Sequence, residues 1–142
     1  MTRPRIYAAH PIVTYSTVRE RDCLAALRGL LPDVDLYDPA GRYSTDDGWL
    51  RAWPRVLATL SGFVVFGTRD GVVGIGCLRE IANARRFGLP FAMLDHRCRV
   101  RTYAGLAHPT RAPTPRRAAV LVPGEPVDLR ELFGLPAAGR AP

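Results

Sequence analysis

Lysine is absent from this 142-residue chain, so arginine supplies all 20 of its basic side chains, against 13 acidic ones. Arginine, alanine, glycine and proline all have GC-rich codons, so the formal charge of +7 does not by itself predict nucleic-acid binding. The distribution of charge is more informative, because no acidic residue lies between Asp95 and Glu125. We expect this segment to attract anions, above all phosphates, although a solvated positive face is the alternative. Its arginines are Arg97, Arg99, Arg101, Arg111, Arg116 and Arg117.

Long apolar runs are also missing, which argues against a membrane-spanning helix of about 20 residues. The first apolar stretch is too short for a signal peptide, so we expect a soluble, cytoplasmic protein. The 3 cysteines and 3 histidines have neither CxxC nor HxxxH spacing, which argues against a disulfide framework and a bound metal. We expect one domain over residues 1–135 and a mobile tail over residues 136–142.

Apolar segments alternate with helical ones along the chain. Apolar repeats predict helices from Thr17 to Leu31, from Asp46 or Asp47 to Leu60, and from Gly76 to Phe87, with Pro54 kinking the second helix or starting a new one. This order predicts a single three-layer α/β domain with a mainly parallel five-stranded sheet, flavodoxin-like or Rossmann-like. Ligands bind such sheets outside the carboxyl ends of the strands. The five predicted strands are Arg5–Ala9, Val34–Tyr37, Phe63–Gly67, Pro90–Leu94 and Ala118–Val122.

The glycine-rich stretch after the third predicted strand carries the strongest chemical signal. Gly71, Gly74 and Gly76 lead into a predicted helix, where backbone N–H groups can approach an anion closely. Glu80 follows four residues after Gly76, early in that helix and near the predicted ligand crevice. There it can be ionised at neutral pH and directed at an electrophilic carbon. The alternative is a first-turn glutamate that complements the helix dipole.

Three motifs resemble the nucleoside 2-deoxyribosyltransferase family, in the right order over residues 5–95. Ile6-Tyr7-Ala8-Ala9-His10-Pro11 resembles the first-strand signature of the family, and Val34-Asp35-Leu36-Tyr37-Asp38-Pro39 resembles its second strand. Gly76-Cys77-Leu78-Arg79-Glu80, with Ile81 and Ala84, resembles the helix that carries its catalytic glutamate. The family includes base-exchanging transferases and hydrolases that cleave nucleosides or nucleoside 5′-monophosphates.

The resemblance implies that Glu80 is the nucleophile at the anomeric carbon of the sugar and that Tyr7 orients it by a hydrogen bond. Gly74 and Gly76 would then approach the sugar or the phosphate. The resemblance implies a homodimer and no metal or redox cofactor. Because Gly74 stands where the family often has an aspartate, we expect hydrolysis, with base transfer as the alternative. The arginine excess favours a nucleoside 5′-monophosphate over a free nucleoside as substrate.

Four further residues are candidates for substrate binding. Asp46 and Asp47 fall where the family often places base-recognising groups, and the nearby Trp49 and Trp53 can stack on a base. The alternative is that one aspartate caps the helix and that the tryptophans belong to the core. His10 and Arg19, near the first loop, are candidates to meet the phosphate or the sugar.

Three other interpretations remain open. The stretch from Gly74 to Glu80 also resembles a motif of the cytokinin-activating phosphoribohydrolases, which cleave the same type of bond. A nucleotide-binding module without turnover is an alternative from another class. Nucleic-acid binding is the weakest interpretation, because the segment from Arg97 to Arg117 contains one aromatic residue, Tyr103.

Overall fold

The computed structural model describes residues 3–40, 46–108 and 118–137. These residues form four α-helices, α1 (Val18–Leu30), α2 (Asp46–Ala58), α3 (Ile75–Arg86) and the short α4 (Leu129–Leu132), with a 3₁₀ turn at Ile12–Thr14. Their strands belong to a single sheet. The strands are β1 (Arg5–Ala9), β2 (Asp35–Tyr37), β3 (Gly62–Val65), β4 (Val72–Val73), β5 (Phe91–Leu94), β6 (Val100–Ala107) and β7 (Ala119–Pro126).

The sheet has seven strands in the order β2-β1-β3-β5-β6-β7-β4. The first four are parallel, whereas β6, β7 and β4 join antiparallel. The α/β class is therefore right, but the prediction of five mainly parallel strands is wrong. β5 connects to β6 through a tight turn without a helix, and a short connection can only return the chain antiparallel. β6 mixes polar and apolar residues, and β4 has two residues, so neither produces a periodic signal.

Helices cover both faces of the parallel half of the sheet, as the sequence predicts. Tyr7 and Phe63 point to the face that packs against α2 and α3. Ile6, Ala8 and Val64 point to the opposite face, which packs against α1 and α4. Successive strand residues alternate between faces, so the two apolar clusters follow directly from the unbroken apolar sequences of β1 and β3.

The predicted helix bounds are confirmed to within a few residues. The Thr17 side chain caps α1 by accepting a hydrogen bond from the Glu20 N–H, and Gly88, with φ of 68°, follows the end of α3. Pro54 lies inside α2 and does not start a new helix. Beyond α4, the Pro136 carbonyl accepts a hydrogen bond from Arg130 Nε at 2.6 Å. The rest of the predicted tail, residues 138–142, lies outside the described residues.

The antiparallel end of the sheet curls back towards the carboxyl end of β3. A Cβ atom added to Gly67, just after β3, would lie 2.6 Å from the Gly71 backbone and 2.7 Å from the Val72 carbonyl. Only glycine permits this approach. Val72 starts β4, which pairs with β7, and the Gly71 carbonyl accepts from the Leu121 N–H at 2.9 Å. The loop after β3 therefore ties β7 to the crevice edge of the parallel strands.

None of the described helices is both long and apolar enough to cross a bilayer.

Candidate active site

The polar side chains that follow the parallel strands converge at one edge of the sheet. The chain passes from β1 to β2 on one side and then returns to β3 on the other, so the order reverses between β1 and β3. Ligands bind α/β sheets at such a switch point, outside the carboxyl ends of the strands. His10 follows β1, Asp38 follows β2, and Phe66 and Gly67 follow β3.

Tyr7 and Glu80 meet in this region. The Tyr7 hydroxyl donates a hydrogen bond to Glu80 Oε2, as the family resemblance implies, across a separation of 73 residues. Tyr7 is fully buried and packs between Tyr37, Phe63 and the edge of Trp53. These aromatic contacts fix the phenol, so the orientation of the Glu80 carboxyl is set by β1 rather than by its own helix.

Glu80 is 5% exposed and lies in the second turn of α3. The first turn of α3 contains no acidic residue, so the alternative of a first-turn glutamate complementing the dipole is wrong. Burial raises the pKa of Glu80 to about 8, although the Tyr7 hydrogen bond acts to lower it. Burial therefore opposes the ionised form that the sequence predicts at neutral pH, and the ionisation of Glu80 stays a prediction.

Tyr15 is a member of this cluster that sequence reasoning missed. Burial, and then the charge of Glu80, raise the pKa of Tyr15 above its usual value, so its hydroxyl remains a hydrogen-bond donor. Its ring meets the His10 ring edge-on, with centroids 4.9 Å apart. The next residue, Ser16, has φ of 61°, in the left-handed region that non-glycine residues rarely adopt, and its N–H is bound by Glu20 Oε1 at 3.2 Å. The sequence signal that could have identified Tyr15 is its position in the loop that follows β1.

His10 is buried behind the cluster and does not project into open space. Its ring stacks on Phe66, with centroids 4.6 Å apart, and its Nε2 lies 2.8 Å from Asp38 Oδ1. Its Nδ1 lies 2.8 Å from Thr14 Oγ1, which in turn lies 2.6 Å from the Pro11 carbonyl oxygen. His10 fastens the first loop to the end of β2, and its predicted contact with substrate stays a prediction.

Asp38 determines whether the second ring nitrogen of His10, Nε2, donates or accepts its hydrogen bond. Burial acts to raise the pKa of Asp38, but hydrogen bonds from His10 and the Ala40 N–H outweigh it and hold that pKa below its usual value. An ionised carboxylate accepts hydrogen bonds only, so His10 Nε2 donates to Asp38 Oδ1. Glu20 Oε2, 3.8 Å from Nδ1, supplies a second negative charge.

The same three residues form the one group with metal-ligand spacing in the described part of the chain. One ligand atom each from His10, Glu20 and Asp38 lies within 4.8 Å of the others. In this structure His10 Nε2 and Asp38 Oδ1 bind each other at 2.8 Å, and His10 Nδ1 is hydrogen-bonded to Thr14. A metal ion held by these three residues would have to replace those hydrogen bonds, and the expectation of no metal stays a prediction.

Arg19 connects α1 to the ends of β3 and β5. Its guanidinium donates to the carbonyls of Gly67 at 3.1 Å and Asp95 at 3.0 Å, and lies 5.9 Å from the Phe66 ring centroid. It borders a cavity of about 300 Å³, which is large enough for a phosphate group. The buried Phe66 and His10 lie between this cavity and Tyr15, and neither Tyr7 nor Glu80 lines it. The cavity is lined by Arg19, Asp22, Arg69, His96, Arg97 and Cys98.

The basic segment after β5 divides into residues with different surroundings. Arg97 borders the cavity, whereas Arg101 donates to Asp95 Oδ2 at 3.2 Å and to the Gly124 carbonyl at 3.4 Å. Arg101 therefore stabilises the turn between β5 and β6. The predicted anion-binding residues Arg111, Arg116 and Arg117 lie outside the described residues.

The other predicted residues lie on α2 and at the start of α3. Gly74 precedes α3 and Gly76 is its second residue, and a Cβ added at either would meet nothing within 4 Å. There is thus open space beside both. Trp53 is 8% exposed and packs against Tyr7, as the core alternative predicts. Asp46 and Asp47 are the first two residues of α2 and do not occupy the cap position, which precedes the helix, and their side chains lie outside the described residues.

A larger cavity lies at the opposite edge of the sheet. It measures about 880 Å³ and is bordered by Arg5 and Asp35, at the amino ends of β1 and β2, and by Arg28 of α1. Arg5 Nε donates to Asp35 Oδ2 at 2.9 Å, so part of its charge is already balanced. The smaller cavity lies at the carboxyl edge of the sheet, beside the residues that follow β3 and β5, although neither Tyr7 nor Glu80 lines it.

Comparison with known proteins supports the fold and leaves the activity open. No protein-family model and no curated protein matches the chain. The chain is similar to a solved structure titled "Crystal structure of conserved protein from Enterococcus faecalis V583", with 22% identity and a TM-score of 0.51. The similarity covers 66% of this chain and 64% of that chain, less than two thirds of the latter's length. At this identity the similarity establishes an α/β fold alone.

Proposed function

We propose that this protein hydrolyses the N-glycosidic bond of a nucleoside 5′-monophosphate, with Glu80 as the nucleophile. The observation that carries the proposal is the buried hydrogen bond between Tyr7 and Glu80 beside the strand-order reversal. A buried carboxyl with a raised pKa at a ligand crevice is typical of catalytic acids and nucleophiles. The resemblance to the nucleoside 2-deoxyribosyltransferase family, which places a catalytic glutamate at this position, agrees with it.

The chemistry requires Glu80 in its ionised form. Its carboxylate oxygen attacks the anomeric carbon as the C–N bond breaks, and the bonding electron pair leaves with the base, which takes up a proton. Water then attacks the same carbon, breaks the ester to Glu80 and releases the sugar phosphate. Because burial favours the protonated carboxyl, the nucleophile forms at the expense of one proton released to solvent.

Tyr7 would control where the negative charge of Glu80 resides. Burial, and then Glu80 itself, raise the pKa of Tyr7 far above its usual value, so the phenol remains a donor throughout. Its hydrogen bond holds Oε2, which leaves the other oxygen of the carboxylate for attack. Tyr7 is therefore a positioning residue, and Tyr7→Phe should leave Glu80 in place but less well oriented.

The basic cavity would hold the 5′-phosphate. Arg69 and Arg97 are exposed at its edge, and charge-assisted hydrogen bonds from arginine suit a phosphate dianion. Each such bond contributes roughly 1.5–3 kcal/mol. We therefore expect kcat/KM for a monophosphate to exceed that for the free nucleoside by about a hundredfold or more.

The direct experiment is incubation with a panel of nucleosides and their 5′-monophosphates, followed by chromatographic detection of the released base. Glu80→Gln should abolish release, and retention of more than about a tenth of wild-type activity would contradict the nucleophile role, since a tenfold loss is only ~1.4 kcal/mol of barrier. The matched control is Glu125→Gln, which removes the same charge from an exposed strand residue and should keep full activity.

Two alternatives give different results in the same assay. If the protein exchanges bases, a second free base will be incorporated into a new nucleoside or nucleotide, and release in water alone will be slow. If it is a binding module, calorimetry will detect the monophosphate, but the wild-type protein will release no base at any pH. The basic cavity favours binding of an anion in either case, so turnover is the deciding measurement.

A further inference from the structure

Two of the three cysteines lie side by side, although 75 residues separate them in the sequence. Cys23 Sγ and Cys98 Sγ are 3.2 Å apart, and both thiols are free. Cys23 is fully buried in α1, whereas Cys98 is partly exposed in the turn between β5 and β6. Cys77, the third thiol, belongs to the buried cluster on the other face of the sheet. The chain thus contains a partly exposed thiol in direct contact with a buried one.

The surroundings of Cys98 favour reaction at its sulfur. Arg19 Nη1 approaches Cys98 Sγ at 3.6 Å, and Cys98 borders the basic cavity. Positive charge beside a solvent-accessible sulfur promotes its attack on peroxides. Cys98 also has φ of 58°, in the left-handed region, and Asp95 fixes the turn by accepting hydrogen bonds from the N–H groups of Arg97 and Arg99. The turn thereby holds the sulfur against α1.

We propose that Cys98 and Cys23 form a reversible redox pair, in which a hydroperoxide oxidises Cys98 and Cys23 converts the product into an intramolecular disulfide. In the first step the Cys98 thiolate attacks a peroxide oxygen, the O–O bond breaks, and an alcohol or water leaves after taking up a proton. Cys98 is then a sulfenic acid. Next the Cys23 sulfur attacks the Cys98 sulfur, and hydroxide leaves with the Cys23 proton as water. The two thiols supply the two electrons that reduce the peroxide.

The disulfide would join α1 to the turn that follows β5, at the edge of the basic cavity. Arg19 makes the same connection through hydrogen bonds to the carbonyls of Asp95 and Gly67. The covalent link would therefore fasten elements that are already in contact and needs little rearrangement. This modification site is independent of the proposed N-glycosidase activity and can be tested without a substrate.

The test is peptide mapping of the intact protein after treatment with hydrogen peroxide. The number of thiols that can be alkylated after unfolding should fall from 3 to one, with reversal by a dithiol reductant. Trypsin cleaves after arginine, so the linked product should be residues 22–28 joined to the dipeptide Cys98-Arg99. Three remaining thiols, a link that includes Cys77, or a disulfide between two copies of the chain would overturn the proposal.

Cysteine variants separate the two roles. In Cys23→Ser, oxidation should stop at the sulfenic acid of Cys98, which a cyclic diketone traps. In Cys98→Ser, the buried Cys23 should remain a thiol under the same treatment, and Cys77→Ser should pair as the wild type does. Peroxide treatment of the urea-unfolded wild type should give mixed pairings of all three cysteines. The same mixture from the folded protein would refute the proposal even if a variant fails to fold.

Discussion

Burial of Glu80 should make this protein less stable as the pH rises, in contrast to the usual effect of a paired carboxylate. The pKa of Glu80 moves from 4.5 to about 8 on folding. Between these values the unfolded chain has released the proton while the folded chain still holds it, so the unfolded state binds fewer protons and stability falls with pH. The slope is about 1.4 kcal/mol per pH unit. From about pH 5 to pH 7.5 the loss from this group amounts to about 3 kcal/mol.

Glu80→Gln isolates this contribution. The amide is neutral at every pH and can still accept the Tyr7 hydrogen bond, so the variant should lack the slope and become progressively more stable than the wild type towards pH 7.5. Urea unfolding at several pH values, followed by tryptophan fluorescence, gives the two stability curves. Glu125→Gln, on the exposed surface of β7, should follow the wild type. Parallel curves for Glu80→Gln and wild type would refute the argument that burial holds the proton on Glu80.

Three further predictions concern activity. The value of kcat/KM should rise about tenfold per pH unit below pH ~8 and then level off, since it reports ionisation in the free enzyme; a fall over that range would make Glu80 a general acid instead. Arg97→Ala should lower kcat/KM for a nucleoside 5′-monophosphate by about tenfold or more and leave the free nucleoside unaffected, and equal losses for both would remove Arg97 from the phosphate site. Gly76→Ala places a methyl group where nothing lies within 4 Å, so denaturant unfolding should show a gain in stability of about 0.5–1 kcal/mol. If the substrate approaches this helix start, the same methyl group should lower kcat/KM. Unchanged kinetics would place the substrate elsewhere.

The parallel half of the fold could be predicted from sequence because the patterns that define its strands and helices are local. β1 and β3 are apolar without interruption, and α1 has a capping threonine and regular leucines. The antiparallel half depends on long-range pairing. Val72–Val73 is a strand only because β7 lies beside it, and β6 contains Arg101, Thr102 and Tyr103, which do not alternate clearly. Such segments acquire their structure from their neighbours rather than from their own composition.

The candidate site also has features that could be predicted from local sequence and features that depend on the folded structure. The partnership of Tyr7 with Glu80 was predictable, because the resemblance places both residues in motifs. The raised pKa of Glu80 was not, since it depends on how completely α2, α3 and the sheet exclude water. The adjacency of Cys23 and Cys98 was equally hidden, because no spacing rule relates two cysteines on separate elements.

The pairing of β4 with β7 has a consequence for the order in which parts of the protein can fold. Val72 and Val73 lead directly into α3, and their partners Val120 and Ala119 are synthesised much later. A nascent chain that ends before β7 can form the parallel strands, but it lacks Leu121, which is buried in the same cluster as Tyr7. Non-local pairings of this kind form slowly. We therefore expect the burial that raises the pKa of Glu80 to be completed only after β7 has joined the sheet, so that a partly folded chain would carry a more readily ionised glutamate there.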